Sequence, residues 1–264
     1  MFRWLALLLV LSQPALAAEL TLELPSGSRS WTTEQLLARP DVREVTIDND
    51  TAYKHKTVYR AVPLASLLEG IRPGDHLQVV ALDGFVAEQA AAPLLATSGS
   101  RAWLAIEDPA NPWPPLGEDK PSAGPFFLVW TDPQVDRIVP EQWPYQIATI
   151  RRLPPVAERF PALLPAAEAS ADVQAGFAQF QKNCLACHRL NRQGDAQFGP
   201  DLNVPYNPTE YLQAGFLKRL IRNPQDLRHW PQARMPAFAE TTLSDTELDQ
   251  LIAYLTHMAG RKVQ

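Results

Sequence analysis

The chain has only two cysteines among its 264 residues, and both lie in the segment FQKNCLACHRL at 180–190. So few cysteines exclude a disulfide-rich scaffold and a zinc site built from four cysteines. A chain of this length can also bury a sizeable core without crosslinks. The pair therefore has either a chemical role or the simpler role of a disulfide.

A basic excess is also missing, since the formal net charge is −5. Residues 18–169 carry 13 basic and 20 acidic residues, a net charge of −7, and residues 170–264 carry 10 basic and 9 acidic residues, a net charge of +1. Nucleic-acid-binding domains usually concentrate positive charge on one face. We therefore expect no nucleic-acid partner.

Long apolar runs are absent as well. The apolar run WLALLLVL at 4–11 is too short to span a bilayer as a helix, which takes about 20 residues. Arg3 before this run and Ala15-Leu16-Ala17 after it are typical of a secretory signal peptide. A buried N-terminal helix or a membrane anchor are the alternatives. We predict a signal peptide over residues 1–17, export to the periplasm as a soluble protein, and no transmembrane anchor after cleavage.

A segment rich in proline and alanine, LPPVAERFPALLPAAEASAD at 153–172, separates two kinds of pattern. Such composition is typical of a connection between domains. We predict an N-terminal domain over 18–155, a linker over 156–170 and a C-terminal domain over 171–264. The first domain is predicted to be α+β and rich in strands, and the second to be all-α.

The N-terminal pattern is dominated by short apolar runs. LQVVALDGFVAEQ at 77–89 places the turn dipeptide Asp83-Gly84 between two of them, which predicts a hairpin. Further strands are predicted at 101–108, 125–132 and 145–150. Helices are predicted over 62–71 and from TTEQLLAR, where Thr32 or Thr33 can cap.

The C-terminal pattern has helical spacing. Val173, Phe177 and Phe180 predict one helix. Asn207-Pro208 predicts the start of a second helix that continues until Asn223-Pro224. Ser244 and Glu247 fit a capping box at the start of a last helix, and Gly260 lies where it would end.

The two cysteines and the next residue form the pattern of covalent haem attachment, Cys184-Leu185-Ala186-Cys187-His188. Two thiols at this spacing can add to the two vinyl groups of one haem. The histidine that follows is then placed to ligate the iron as the proximal ligand. The pattern predicts one covalently bound haem c, attached through Cys184 and Cys187 and ligated by His188.

Three other interpretations of the pair compete with haem attachment. A thioredoxin-like redox pair would lie at a helix start in a βαβ unit, whereas here a helical pattern precedes it. Zinc needs about four ligands, and His229 and His257 show no paired spacing. A disulfide of such short span would constrain the unfolded chain little.

A second axial ligand is expected if the haem carries electrons. Met235, in Arg234-Met235-Pro236, is the candidate, because histidine and methionine together ligate the iron of electron-carrying cytochromes c. The alternatives are a core methionine at this position, or ligation by Met258, His229 or His257.

Residues 171–264 resemble the class I c-type cytochromes. The likeness rests on Gly176 and Phe180 in the first helix, Gly199-Pro200 after the haem motif, Met235-Pro236, and Tyr254 in the last helix. The resemblance implies that the Pro200 carbonyl accepts a hydrogen bond from His188. It also implies a haem with both axial positions filled, suited to single-electron transfer, and a reduction potential raised by the methionine.

Residues 18–155 are similar in order of elements to the molybdopterin-binding fold of the sulfite oxidase type. The similarity rests on short motifs: Tyr59-Arg60-Ala61-Val62-Pro63-Leu64, Leu82-Asp83-Gly84-Phe85, Ala123-Gly124-Pro125-Phe126, and Trp143 with Ile147. That family ligates molybdenum through a cysteine, and this domain contains none. Molybdopterin is therefore not expected, and we assign no catalytic residues.

These observations favour a periplasmic mono-haem cytochrome that transfers single electrons to or from a redox partner protein, with the N-terminal domain docking a partner or binding a ligand. One alternative is an oxidoreductase whose N-terminal domain oxidises a small substrate and passes the electrons to the haem. Another is a haem-based sensor. Whether the chain is an enzyme is left open, with an electron-transfer protein or redox-enzyme subunit preferred to a stand-alone enzyme.

Overall fold

The computed structural model describes residues 18–230 and 232–264, so the predicted signal peptide at 1–17 lies outside the described residues. Residues 19–153 form two β-sheets around one apolar core, and the helices that follow surround a second core. The predicted division into a β-rich first part and a helical second part is confirmed. Among the described residues, no helix is both long and apolar enough to cross a membrane.

Nine strands make up the two sheets of the described N-terminal region. In chain order they are β1 (Glu19–Leu24), β2 (Gly27–Thr32), β3 (Arg43–Ile47), β4 (Thr57–Pro63), β5 (His76–Ala81), β6 (Val86–Ala90), β7 (Arg101–Ile106), β8 (Phe126–Thr131) and β9 (Ile147–Leu153). One sheet has the order β2-β1-β9-β5-β6 and the other β3-β4-β7-β8. The pair β1–β9 is parallel and the other pairs are antiparallel.

The hairpin predicted around Asp83-Gly84 is present. Strands β5 and β6 pair from His76↔Ala90 to Val80↔Val86, and Gly84 adopts a φ of +88° that favours glycine in the turn. The strands predicted at 101–108, 125–132 and 145–150 are confirmed as β7, β8 and β9. The hairpin turn lies at one end of its sheet, which matters for the site below.

Of the two helices predicted in this region, one is confirmed. Helix α1 (Thr33–Leu37) begins at Thr32, whose hydroxyl accepts from Gln35 N while the Gln35 side chain accepts from Thr32 N. The helix predicted over 62–71 is wrong: β4 continues to Pro63, and a 3₁₀ turn covers Leu64–Leu67. Pairing of β4 with β7 holds the start of that segment extended, and the 3₁₀ turn ends at Leu68, with Gly70 beyond it at a φ of +79°. Helix α2 (Ala91–Leu94) follows β6.

The predicted linker is folded onto the helical region. It contains α3 (Val156–Arg159) and a 3₁₀ turn at Pro161–Leu163. Val156 and Leu163 are buried in the helical core, and the Tyr254 hydroxyl donates to Leu163 O at 2.7 Å. The connection therefore belongs to the second core and is not a free tether.

The helices of the second region are α4 (Ala171–Asn183), α5 (Pro208–Tyr211), α6 (Ala214–Arg222), α7 (Pro224–Leu227) and α8 (Asp245–Ala259). Helices α4 and α8 cross closely at Gly176, where an added Cβ would lie 1.9 Å from Gln250 O. Phe177 and Phe180 of α4 each pack on the Tyr254 ring with centroids 5.5 Å apart. The predicted capping box of α8, from Ser244 to Glu247, is confirmed.

The helix predicted from Asn207 to Asn223 is wrong in its continuity. It is divided into α5 and α6, because Leu212 and Gln213 are extended, with ψ of 134° and 144°. Gln213 then serves as the N-cap residue of α6. The predicted start at Asn207-Pro208 and the end before Asn223-Pro224 are confirmed.

Candidate haem-binding site

The segment with the two cysteines begins where α4 ends. Cys184 is the C-cap residue of α4, and its N–H donates to Phe180 O at 2.9 Å. Cys187 N and His188 N both donate to Cys184 O, at 3.0 and 2.9 Å. This tight turn brings both cysteines and the histidine together, and the two sulfurs are not joined to each other.

The imidazole of His188 has a fixed orientation. Its Nδ1 lies 2.8 Å from Pro200 O, and because a carbonyl can only accept, Nδ1 carries the proton. Burial lowers the pKa of His188, against the opposing effect of the Pro200 bond. The ring is therefore neutral at pH 7, with the Nε2 lone pair free to bind a metal.

The His188 ring lies so close to Gly199 that only a residue without a side chain fits there. A Cβ at this position would lie 2.4 Å from His188 Cε1 and 2.5 Å from His188 Nδ1. No other residue type fits such an approach without moving the ring. The backbone of Gly199 is itself tied to the attachment turn, since Gly199 N donates to Cys187 O at 2.7 Å.

The two thiols are in surroundings that suppress ionisation. Burial raises the pKa of Cys184 far above its ordinary value, with a further contribution from the charge of Glu141. Burial and Glu141 likewise raise the pKa of Cys187 to about 11. Reactive redox cysteines have lowered pKa values, so these surroundings do not favour the thioredoxin-like alternative. In the part of the chain that the structure describes, no cluster of three or more His, Cys, Asp or Glu is arranged to hold a metal ion.

Residues 173–259 match the family model for cytochrome c. They form a cytochrome c domain. The match includes both cysteines, His188 and Met235, and such a domain binds haem c covalently and transfers electrons. The family model does not cover the N-terminal sheets. A comparison with curated proteins found no match for the chain.

Met235 lies in the segment of the cytochrome c domain between α7 and α8. It is half-buried and packs against the same helical core as Cys184. The segment is anchored by Phe238, which is 5 % exposed and whose N–H donates to Arg222 O at 3.1 Å. Met235 therefore stays the predicted second ligand.

The other candidate ligands occupy different surroundings. Met258 is 1 % exposed in the helical core. His257 Nε2 accepts from Ala166 N at 3.0 Å, so its ring is bound to the linker. His229 is exposed. Arg222 contacts the segment of Met235, since its Nη1 donates to Phe238 O at 2.9 Å.

The N-terminal sheets reach the haem-binding segments. A cavity of about 390 Å³ is lined from the hairpin by Asp83 and Gly84 and from the cytochrome c domain by Gln197, Phe198 and Arg234. The rings of Phe85 and Phe198 are 6.3 Å apart. Phe198 precedes Gly199, and Arg234 precedes Met235, so the cavity lies between the hairpin turn and the segments of Gly199 and Met235.

Sequence reasoning missed the contribution of the N-terminal region to this site. The charge of Asp83 helps to raise the pKa of Cys187, and that of Glu141 affects both cysteines. Both carboxylates are far from the cysteines in the sequence. Glu141 belongs to no motif, and the motif of Asp83 predicts only a hairpin turn. Only the packing of the two regions brings them to the site.

Proposed function

We propose that this protein is a periplasmic cytochrome with one haem c that carries single electrons, and that its N-terminal domain docks a redox partner protein. The haem would be attached through Cys184 and Cys187, with His188 Nε2 and Met235 Sδ as axial ligands, and it supplies a one-electron couple when bound. The observation that carries the proposal is the His188 ring, held neutral and oriented by Pro200 in a space that Gly199 leaves open.

The residues of the chain favour electron transfer over oxygen chemistry. Pro200 fixes the tautomer of His188 and strengthens it as a ligand. A methionine thioether is a weak electron donor that favours ferrous iron and raises the reduction potential. With both axial positions taken by the protein, no position would be left for oxygen.

For the N-terminal domain we propose the sulfite-oxidase-type fold, in a form that has lost its metal. The support is the two-sheet architecture with the Asp83-Gly84 turn facing the cytochrome c domain. Residues 18–183 contain no cysteine, so the thiolate that would ligate molybdenum is missing. Docking or ligand binding is therefore the role that we assign to the domain.

A second candidate function has one observation in its favour. The cavity between the two regions is lined by a carboxylate, a guanidinium and an aromatic ring, from Asp83, Arg234 and Phe198. A small polar substrate bound there would lie beside the haem-binding segments and could pass electrons to the haem. This enzyme hypothesis predicts that substrate binding depends on Asp83 and Arg234.

The proposal is tested on protein purified from periplasm. Mass spectrometry should show one haem added per chain, and the Cys184→Ser/Cys187→Ser double variant should lack it. The oxidised protein should show the weak absorption band of methionine–iron coordination. Met235→Ala should lose this band and, when reduced, bind carbon monoxide.

Met258→Leu is the matched control, because it replaces a buried core methionine with a residue of similar volume. Met258→Leu should keep the absorption band of methionine–iron coordination. Apoprotein mass with free or bridged thiols would refute the proposal. Carbon monoxide binding by the unaltered reduced protein would instead favour a sensor.

A further inference from the structure

One segment of the N-terminal domain is packed against the helix that leads into the haem-attachment turn. Lys182, in the last turn of α4, donates from Nζ to Arg137 O at 3.4 Å. Arg137 in turn forms an ion pair of 3.1 Å with Glu247 of α8. Just beyond Arg137, a 3₁₀ turn at Pro140–Gln142 carries Glu141. These contacts fix Glu141 close to the end of α4.

One oxygen of the Glu141 carboxyl group is buried. Its Oε2 is shielded from solvent and has no hydrogen-bond partner. Burial raises the pKa of Glu141 to about 7, although a hydrogen bond from its own backbone and the nearby Lys182 charge act in the opposite direction. A group with this pKa changes its protonation state at physiological pH.

Glu141 acts electrostatically on both points of haem attachment. Cys184, one of these points, is the C-cap residue of α4 and follows Lys182 by two residues, so the packing of the Glu141 turn against the end of α4 places the carboxyl group beside the attachment turn. Its charge also raises the pKa of Cys184 and of Cys187. Ferric haem carries one more positive charge than ferrous haem. In a buried, weakly screened site such a difference acts strongly on a nearby carboxylate.

We propose that Glu141 takes up a proton from solvent when the haem is reduced, so that electron transfer in this protein is proton-coupled. In this step an external one-electron donor is oxidised and Fe³⁺ becomes Fe²⁺. At the same time an O–H bond forms on the Glu141 carboxylate, and the net charge of the site is unchanged. The inference rests on the haem-based electron transfer proposed above.

The other charged groups around this position do not replace Glu141 in the role. Lys182 is a cation whose pKa is lowered by burial and by Arg137. Arg137 and Glu247 are paired with each other. Glu88, on the strand β6 that packs near the 3₁₀ turn, is ion-paired with Arg159 at 2.7 Å. Asp83 acts on Cys187 from the hairpin turn.

The sign of the effect follows from the charges. Ferric haem stabilises the carboxylate and lowers the pKa of Glu141, and reduction removes that stabilisation and raises the pKa. Between these two pKa values the reduction potential should fall as the pH rises. Each pH unit changes the ratio of reduced to oxidised haem at fixed potential by up to tenfold, or 59 mV for a one-electron couple.

The test is a potentiometric titration of the holoprotein from about pH 5 to about pH 9, a range that brackets this pKa. The unaltered protein should show a potential that falls across neutral pH. Glu141→Gln should show a nearly constant potential, equal to that of the unaltered protein at acid pH and higher than it at alkaline pH. Glu44→Gln removes the same charge from an exposed position on β3 and should follow the unaltered protein.

A second variant and a spectrum separate this role from a merely structural one. Lys182→Gln removes the nearby cation and should move the fall in potential to higher pH. Reduced-minus-oxidised infrared spectra should show a carboxylic acid band that is lost in Glu141→Gln.

A pH-independent potential in the unaltered protein, or an undiminished slope in Glu141→Gln, would overturn the inference and leave the proposed function intact. The lack of any reversible one-electron haem couple would be the failure of the proposed function itself.

Discussion

At the scale of single residues, Gly199 shows how a backbone position can decide the geometry of a metal ligand. The His188 ring lies over this glycine so closely that even a methyl group would overlap it, at 2.4 Å from Cε1. The same peptide segment supplies Pro200 O, which holds Nδ1. The glycine and the following carbonyl together set where Nε2 points.

We expect Gly199→Ala to destabilise the holoprotein by roughly 2 kcal/mol or more, because the added Cβ forces the His188 ring or the loop to move. Denaturant unfolding, with haem absorption as the signal, measures the loss. Gly215→Ala is the control, because a Cβ there meets nothing within 4 Å. Alanine in that helix should stabilise by up to about 1 kcal/mol. Equal stability of Gly199→Ala and the unaltered protein would show that the ring has room.

A residue of the site can be predicted from the sequence when it belongs to a pattern of neighbouring residues. Cys184, Cys187 and His188 are contiguous, so their chemistry can be read directly from their spacing. Glu141 affects both cysteines and Asp83 affects Cys187, but both carboxylates lie in the N-terminal region. Glu141 belongs to no sequence pattern, and the burial that raises its pKa exists only after the two regions have packed.

At the scale of elements, helix starts were more predictable than helix interiors. Thr32 and Ser244 accept from backbone N–H groups three residues on, an interaction within one turn that the sequence displays. The apolar spacing over 62–71 equally fits a buried strand end and a 3₁₀ turn. Partner strands, which a local pattern does not specify, decided between them.

A set of asparagines explains why the chain after the haem motif folds as it does. Asn207 caps α5 through its Oδ1, and its Nδ2 donates to Leu255 O near the end of α8 at 2.9 Å. Asn203 Nδ2 donates to Met258 O at 2.7 Å. These side chains add hydrogen bonds to carbonyl groups in the last two turns of α8, and they tie the segment of α5 to that helix.

We expect Asn207→Asp to cost roughly 3 kcal/mol of stability. The carboxylate keeps the cap, but it loses both donated hydrogen bonds and faces the Leu255 carbonyl in a buried position. Asn223→Asp is the matched control, because Asn223 also caps a helix while its Nδ2 bond to Asp226 is exposed. It should cost less than about 1 kcal/mol. Denaturant unfolding compares the two, and equal losses would contradict the role of the buried bonds.

At the scale of the whole molecule, one arginine of the linker joins the two regions. Arg159 forms an ion pair with Glu88 of β6 at 2.7 Å and another with Asp195 of the cytochrome c domain at 2.9 Å. Gln78 of β5 also donates to Asp195, at 2.7 Å. Glu88 is only 5 % exposed in its side chain. The linker therefore fixes the orientation in which the hairpin turn meets the haem-binding segments.

Without Arg159, the two regions should unfold in separate transitions. Arg159→Met removes the arginine from the buried Glu88 carboxylate, which keeps its bonds to His76 and Gln78, a change that costs up to about 3 kcal/mol. We expect far-UV circular dichroism and haem absorption to follow one transition in the unaltered protein and two transitions in the variant. Arg60→Met breaks an exposed pair with Asp108 within the sheets and should change stability by less than about 1 kcal/mol.

The loss of stability in Arg159→Met should depend on pH. Burial opposes ionisation of Glu88, but the bonds from His76, Arg159 and Gln78 prevail and hold its pKa below the ordinary value. A carboxylate with a lowered pKa stabilises the fold above its unfolded pKa and loses that contribution as the pH falls through the folded pKa. The difference between Arg159→Met and the unaltered protein should therefore be full at neutral pH and shrink in acid. A difference that stayed constant down to acid pH would show that Arg159 acts through packing alone and not through the charge of Glu88.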